Sequence, residues 1–374
     1  DKSVILSWKN NQNITFKITY EIDENYMFSI KQEIFNGSNK KIDVFPYRLI
    51  KRINTPDTIN FFILHEGLIS LLNDELLEKD YDDLLDDCSS TNTSKSLYCD
   101  NKSQGGWLGF TDKYWMSVLI PDPMEPINVN YRYGNNGRDN YRTGYVGQIF
   151  NINPAQSISY NGHLFAGAKN LDILNIYKKS LSIPRFNDAI DWGWFSFLTK
   201  PISHAINWFY GYVGNFGLAI IAFTILMRLI LFPLAHISFK SMAKMKKLQP
   251  EMKLLKETYP DDKQKMQQEL MALYKREGAN PVAGCLPIMV QIPIFFSLYK
   301  VLFVTIEMYH APFYGWIHDL SAPDPLGLIT LFGIFPWDFP PFLSIINIGI
   351  LPIIMGFTMW LQQKLNPAPA DPTQ

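Results

Sequence analysis

Cysteine is nearly absent. Three occur in 374 residues, at positions 88, 99 and 285, and no spacing among them holds zinc. An excess of one charge is also absent: 34 basic residues face 35 acids, for a net charge of −1, so nothing points to nucleic acid and no direct nucleic-acid sequence recognition is expected. The charged share, 18 %, is lean. No glycine-rich phosphate loop, nucleophile elbow or His-Glu-x-x-His occurs, and the six histidines are scattered. The chain is therefore not expected to be an enzyme, to hold a metal or to need a cofactor. It opens on Asp1 with no signal peptide and stops at Ala370-Asp-Pro-Thr-Gln, so both ends are expected to be truncations of a longer precursor.

What is present divides in two. In the first half Ile14, Phe16, Ile18 and Tyr20 alternate with Thr15, Lys17, Thr19 and Glu21, the period of a half-buried strand. Tyr26, Phe28 and Ile30 repeat it. Asn36-Gly37 and Asn161-Gly162 carry hairpin signals, since both turn positions favour φ > 0. Residues 108–120 are aromatic and β-branched enough for one core strand. The stretch to about Pro184 is expected to form an antiparallel sandwich. Residues 74–87 interrupt it with eight acids, one lysine and four leucines; without the residue order of a calcium loop they are expected to be a solvated helical face. Cys88 and Cys99 bracket a Ser/Thr/Asn-rich loop and are either a disulfide or two free thiols. Cys285 reads as a small hydrophobe.

The second half carries long apolar runs. Residues 194–213 are crowded with aromatics and read as an amphipathic helix at headgroup level. Residues 217–235, about 28 Å of helix, match the hydrocarbon thickness. Further spans are expected at 282–305 and 342–361, while 326–335 is too short to cross and is expected to dip into the interface. The loop 238–280 holds ten lysines and arginines, whereas 306–341 holds none and has four acids. The positive-inside rule places the first loop in the cytoplasm and the β domain outside.

Inside the first span stands Arg228. A charge at that depth costs a few kcal/mol or more on insertion scales, and arginine keeps its proton. Thr224 and Gly217 lie four and eleven positions earlier, on the same expected face, which suggests a wet groove. Gln291, between Pro287 and Pro293, either lines the same cavity or bonds to a neighbouring helix. Lys300 is expected to snorkel outward. The cytoplasmic loop reads as a helical hairpin: Met242, Met245, Leu248, Met252 and Leu255 form one stripe, Met266, Leu270 and Leu273 the other, with breaks at Pro250 and Tyr259-Pro260 and a cap from Asp261 or Asp262. Met242, Met245, Lys246, Lys247 and Met266 are the expected partner surface, because methionine adapts to varied apolar partners and the hairpin's positive charge suits anionic lipid.

These residues carry a family likeness. Ser241-Met-Ala-Lys-Met, Leu248-Gln-Pro, Asp261-Asp-Lys-Gln, Met271-Ala-Leu-Tyr-Lys, Asn280-Pro, Gly284-Cys-Leu-Pro, Gln291-x-Pro-Ile-Phe, Trp316-Ile-His-Asp-Leu-Ser and Ala370-Asp-Pro resemble the core of the bacterial YidC insertases and their Oxa-type and Alb-type relatives. Residues 107–122 resemble the periplasmic domain of Gram-negative members more loosely. The resemblance implies an α+β chain: a periplasmic antiparallel β-supersandwich, then a polytopic α-helical membrane domain with a cytoplasmic helical hairpin. It implies an insertase and chaperone for nascent membrane proteins in the bacterial inner membrane. Its hydrophilic groove would hold an arginine at the position of Arg228 and be lined by Thr224 and Gln291. The Sec translocon, and ribosome or signal-recognition components at the hairpin, are the implied partners beside the lipid bilayer. An N-terminal anchor helix and two further helices would lie outside this chain. The expected divisions are 1–185 (β domain), 186–215 (interfacial helix and linker) and 216–374 (membrane domain). Two other readings stand beside this one. A transmembrane sensor would need a continuous coiled coil, and a transporter would need paired intramembrane charges or internal repeats.

Overall fold

Alternation of apolar and polar residues becomes strand wherever a second strand can cover one face. In the computed structural model, which describes residues 2–59, 63–83, 89–91, 96–135, 137–260, 262–278, 281–335 and 346–365, the chain divides into two units. The first comprises Asp1–Trp194 with Phe303–Ile306, and the second comprises Phe195–Leu302 with Glu307–Gln374.

The first unit is antiparallel β. Its strands are β1 (Ser3–Lys9), β2 (Ile14–Ile22), β3 (Met27–Asn36), β4 (Ile42–Val44), β5 (Tyr47–Ile53), β6 (Gly67–Leu72), β7 (Glu75–Asp80), β8 (Ser89–Thr91), β9 (Ser96–Gln104), β10 (Trp107–Thr111), β11 (Trp115–Pro121), β12 (Pro126–Asn135), β13 (Asp139–Val146), β14 (Phe150–Ile152) and β15 (Ser157–Ala168). Helix α1 (Leu171–Ser180) follows, capped by Asn170, whose side chain accepts from the Asp172 and Ile173 amides. An eight-stranded sheet has the order β1-β2-β3-β15-β11-β10-β6-β7, a five-stranded sheet the order β5-β13-β12-β9-β8, and β14 pairs with β4.

β6 explains the layering. All six of its residues are buried, because both of its faces are covered. Leu68 and Leu72 point into a core shared with Val129, Tyr131, Tyr141 and Tyr145 of the five-stranded sheet. Ile69 and Leu71 point into a second core with Trp107, Val118, Phe165 and the α1 residues Leu174 and Tyr177. The Trp107 indole donates to the Pro184 carbonyl (3.0 Å), so the segment after α1 is tied to the sheet it covers.

Four local expectations are corrected. Asn36-Gly37 is not a hairpin turn: β3 pairs with β2 and β15, and buried Asn36 donates to the carbonyls of Lys40 (2.8 Å) and Ile152 (3.0 Å). Asn161-Gly162 lies inside β15, and Gly162 is glycine because a Cβ would run into the Arg48 guanidinium. The acidic stretch is strand β7 over residues 75–80, antiparallel to β6. Adjacent Leu76 and Leu77 pack on opposite faces of the sheet, which a strand permits and a single helical stripe does not. Residues 108–120 are not one strand but a β10–β11 hairpin, Leu108 facing Leu119. Pairing of Cys88 with Cys99 lies outside the described residues, as does the Cys285 side chain.

The second unit is helical: α2 (Ser196–Val213), α3 (Phe216–Thr258), α4 (Lys263–Arg276), α5 (Pro281–Val304) and α6 (Ile350–Leu365). Two helices among the described residues are long and apolar enough to cross a membrane: 18-residue stretches of α3 and of the 286–304 part of α5 have mean hydropathies of 2.4 and 1.7. The expected break at Pro250 does not occur; α3 runs 43 residues through both Pro233 and Pro250. Of the third expected span, 342–361, residues 342–345 lie outside the described residues, and helix begins only at Ile350. The reason is a local pairing: Leu328 N donates to Ile348 O (3.0 Å) and Ile350 N to Leu326 O (3.2 Å), drawing these groups away from a helical ladder. Residues 326–335 themselves form turns.

Candidate functional site

The candidate site is built on α3. Asn215 caps the helix, accepting from the Leu218 amide (3.1 Å) and donating its side-chain amide to the Pro312 carbonyl (3.0 Å). Phe216, Ala219 and Phe223 then recur at helical spacing and pack with Ile202 and Ile206 of α2 and Val301 of α5; Met227 continues the stripe. That stripe fixes which way the rest of α3 faces. Thr224 and Arg228 fall off it and are exposed, the Thr224 hydroxyl donating back to the Ile220 carbonyl (2.8 Å). Gly217 does not extend their exposed face: it is buried, and a Cβ there would strike the Phe313 ring.

Arg228 lies thirteen residues beyond the cap, about 20 Å along the axis. It forms no ion pair or hydrogen bond among the described residues. Its surroundings are apolar and open: Ile225, Leu229 and Phe232 are 56 %, 67 % and 64 % exposed. Water would penalise such a surface; hydrocarbon would not. Gln291 of α5 is half-buried, within a helix that contains Pro287 and Pro293 and exposes Ile288, Met289 and Ile292. No hydrogen bond joins Gln291 to Thr224 or Arg228. Lys300 does not snorkel: it is only 3 % exposed, and Ser297, one turn before it, is fully buried with its hydroxyl unpartnered among the described residues. Sequence reasoning missed this pair because a lysine near a helix end looks the same whether its head reaches water or protein.

A helical hairpin is formed by the second half of α3 and α4. Leu248, Met252 and Leu273 make its core, with Met245, Leu255, Leu270 and Tyr274 against them. Burial pushes the Tyr274 phenol above its ordinary value. Asp262 caps α4 by accepting from the Lys265 amide (2.9 Å), and the Lys244 ammonium meets the Gly278 carbonyl (3.2 Å). Of the expected partner residues, Met245 is drawn into the core, Met242 and Met266 are half-buried, and Lys246 and Lys247 are exposed. Leu254 and Met271, exposed by 61 % and 62 %, were not anticipated; they fall between the packed positions of their stripes. Glu251, Leu254, Thr258, Glu269 and Arg276 line a hollow of about 320 Å³ on this hairpin.

Comparison with known proteins gives this architecture a family. A family model described as the YidC periplasmic domain matches residues 1–205, and one described as the 60Kd inner membrane protein matches residues 208–374. The chain belongs to the YidC family. Its β unit is a periplasmic domain, and the chain is a multi-pass inner-membrane protein. The membrane protein insertase YidC of Ruegeria sp. (strain TM1040) is 48 % identical over 378 residues, covering 100 % of this chain and 62 % of the relative. The membrane protein insertase YidC of Rickettsia felis is 47 % identical over 375 residues, covering 100 % and 65 %. The chain thus spans less than two thirds of the length of these curated relatives. A solved structure described as an active YidC insertase with its first transmembrane domain resolved aligns over 95 % of this chain and 71 % of that one, at 19 % identity and a TM-score of 0.36.

Proposed function

We propose that this chain is the greater part of an insertase that moves nascent membrane proteins into the inner membrane without nucleotide hydrolysis. One observation carries the reading: Arg228 is a charged side chain, without a partner among the described residues, on an apolar helix face open to its surroundings. In this reading residues 1–185 are the periplasmic domain, 186–215 the interfacial helix and linker, and 216–374 the membrane domain with the hairpin at 238–280.

The hairpin receives the nascent segment, Met242, Lys246, Lys247 and Met266 facing it or the ribosome and signal-recognition components that deliver it, and Met245 supporting them from the hairpin core. The Sec translocon is its neighbour in the membrane. Arg228 then attracts the polar, often acidic, segment of the substrate. Two unit charges 4 Å apart gain about 1 kcal/mol in water and about 4 at an effective dielectric of 20, so the same guanidinium acts more strongly where water is scarce. Thr224 and Gln291 supply polar atoms for a groove that hydrates this segment. The apolar segment slides along Ile225, Leu229 and Phe232 into lipid, and its transfer out of water drives the step.

The test is reconstitution of the full-length protein in proteoliposomes with Arg228→Ala and Arg228→Lys. Insertion of a single-span substrate with an acidic N-terminus should fall about tenfold or more in the alanine variant, the factor for ~1.4 kcal/mol, and recover in the lysine variant. Wild-type insertion by the alanine variant would reject a role for the charge.

A further inference from the structure

The outer face of the five-stranded sheet carries a charge arrangement that insertion does not use. Arg132 lies directly opposite Arg142, and Arg142 directly opposite Lys51. Three cations thus stand side by side across β12, β13 and β5, at strand spacings of about 4.8 Å. All three are exposed, and neither Arg142 nor Lys51 has an ion-pair partner among the described residues. Arg142 and Lys51 are like charges in directly opposed positions, which destabilises a sheet, so this face is stabilised when an anion joins them. The neighbouring register rows place Asp100 opposite Asn130 and Lys102 opposite Asn128, which leaves the face basic.

Beside this row lies a hollow of about 180 Å³ whose lining includes Phe45, Tyr47, Leu49, Asn130, Arg132 and Arg142. Gly144 stands between Leu49 and Asn130 in the register. A side chain there would press on the Arg48 carbonyl and the Leu49 Cβ, so glycine keeps the depression open. Phe45, Tyr47 and Leu49 are each half or more exposed.

We propose that this hollow holds the headgroup of an anionic phospholipid. Two guanidinium forks match the oxygens of a phosphodiester. The hollow is smaller than the ~300 Å³ at which drug-sized pockets begin, and a single phosphate group fits it. Its aromatic and aliphatic rim is the composition that favours the glycerol and upper-chain level of a lipid. A domain tethered to the bilayer meets lipid at high effective concentration, which sets lipid ahead of an acidic polypeptide as the occupant.

The experiment is hydrogen exchange, read by mass spectrometry, on the full chain in phosphatidylcholine nanodiscs with and without phosphatidylglycerol. Phosphatidylglycerol should slow exchange in peptides covering residues 45–53 and 140–147. Titration with short-chain phosphatidylglycerol should then lose roughly fivefold in apparent affinity for each of Arg132→Gln and Arg142→Gln, as expected per basic residue at an anionic surface. Arg142→Lys should retain most of the binding, and unchanged exchange in β10 and β11 peptides would establish that each variant is folded. Equal protection by phosphatidylcholine would overturn the proposal, leaving only apolar adsorption. Equal protection by inorganic phosphate would replace lipid by a free anion, and protection by polyglutamate alone would replace it by an acidic protein.

Discussion

Lys169→Met should make the β domain more stable at neutral pH, although it removes a hydrogen bond. Lys169 is 3 % exposed, and its ammonium donates to the Thr111 hydroxyl at 2.9 Å. Burial pulls its pKa from 10.5 down to about 8, with Asp191, Asp112, Glu66 and Glu78 pulling weakly the other way. The direction of that shift shows that desolvation outweighs the carboxylates. A fall from 10.5 to about 8 corresponds to about 3 kcal/mol against the charged form in the folded state. Below pH 8 the lysine is protonated both folded and unfolded, so the whole penalty is present. Between pH 8 and 10.5 the unfolded chain still binds the proton that the folded chain has released. The wild type therefore gains about 1.4 kcal/mol per pH unit across that window, and above it the penalty is gone. Methionine matches the length of the stem without the charge. Loss of the Thr111 hydrogen bond returns about 1 kcal/mol, leaving a net gain of about 2 kcal/mol at pH 7 that vanishes toward pH 10.5. Urea unfolding in neutral detergent at pH 7, 8, 9 and 10, with exchange of β10 and β11 amides isolating the β domain, would measure it. A variant less stable than wild type at pH 7, or a difference that does not shrink with pH, would refute the reasoning.

Two smaller perturbations test the local packing. Gly162→Ala places a methyl group against the Arg48 guanidinium and should cost about 1–3 kcal/mol by overpacking, read as a lower urea midpoint with unchanged slope. Asp262→Ala removes the N-cap of α4 and should weaken the hairpin by about 0.5–2 kcal/mol, seen as faster exchange in the first turn of α4 and not in α3.

The β character of the first unit was legible because alternation in β2 and β3 has no other reading. Its pairing was not. β3 takes its second neighbour from β15, more than a hundred residues away, and a turn dipeptide reports only local geometry; Asn36 is spent on buried carbonyls and Gly162 on clearance for an arginine. The acidic stretch misled for a related reason. Its charges spoke for solvent, but the adjacent leucines recorded an edge strand with both faces in contact. In the second unit the positions of Arg228, Thr224 and Gln291 were readable from polar residues inside apolar runs. Sequence could not reveal that Gly217 is covered by Phe313, nor that Lys300 is buried, since both depend on which neighbouring element lies over the helix.

Helix α3 has a mechanical consequence. It joins the level of Arg228 to Thr258 at the end of its hairpin arm without a loop, over about 45 Å of helix. Twisting the Thr258 end about the helix axis therefore turns the guanidinium with little slack. Bending is different, because Pro233, five residues past Arg228, removes a backbone hydrogen bond and concentrates flexure there. From Pro233 to Thr258 is about 38 Å, so a bend of about 20° swings the hairpin tip by about 13 Å while leaving the arginine where it is. The helix thus acts as a stiff shaft in torsion and a hinged arm in flexure, so the hairpin tip can sweep an arc while Arg228 keeps its place.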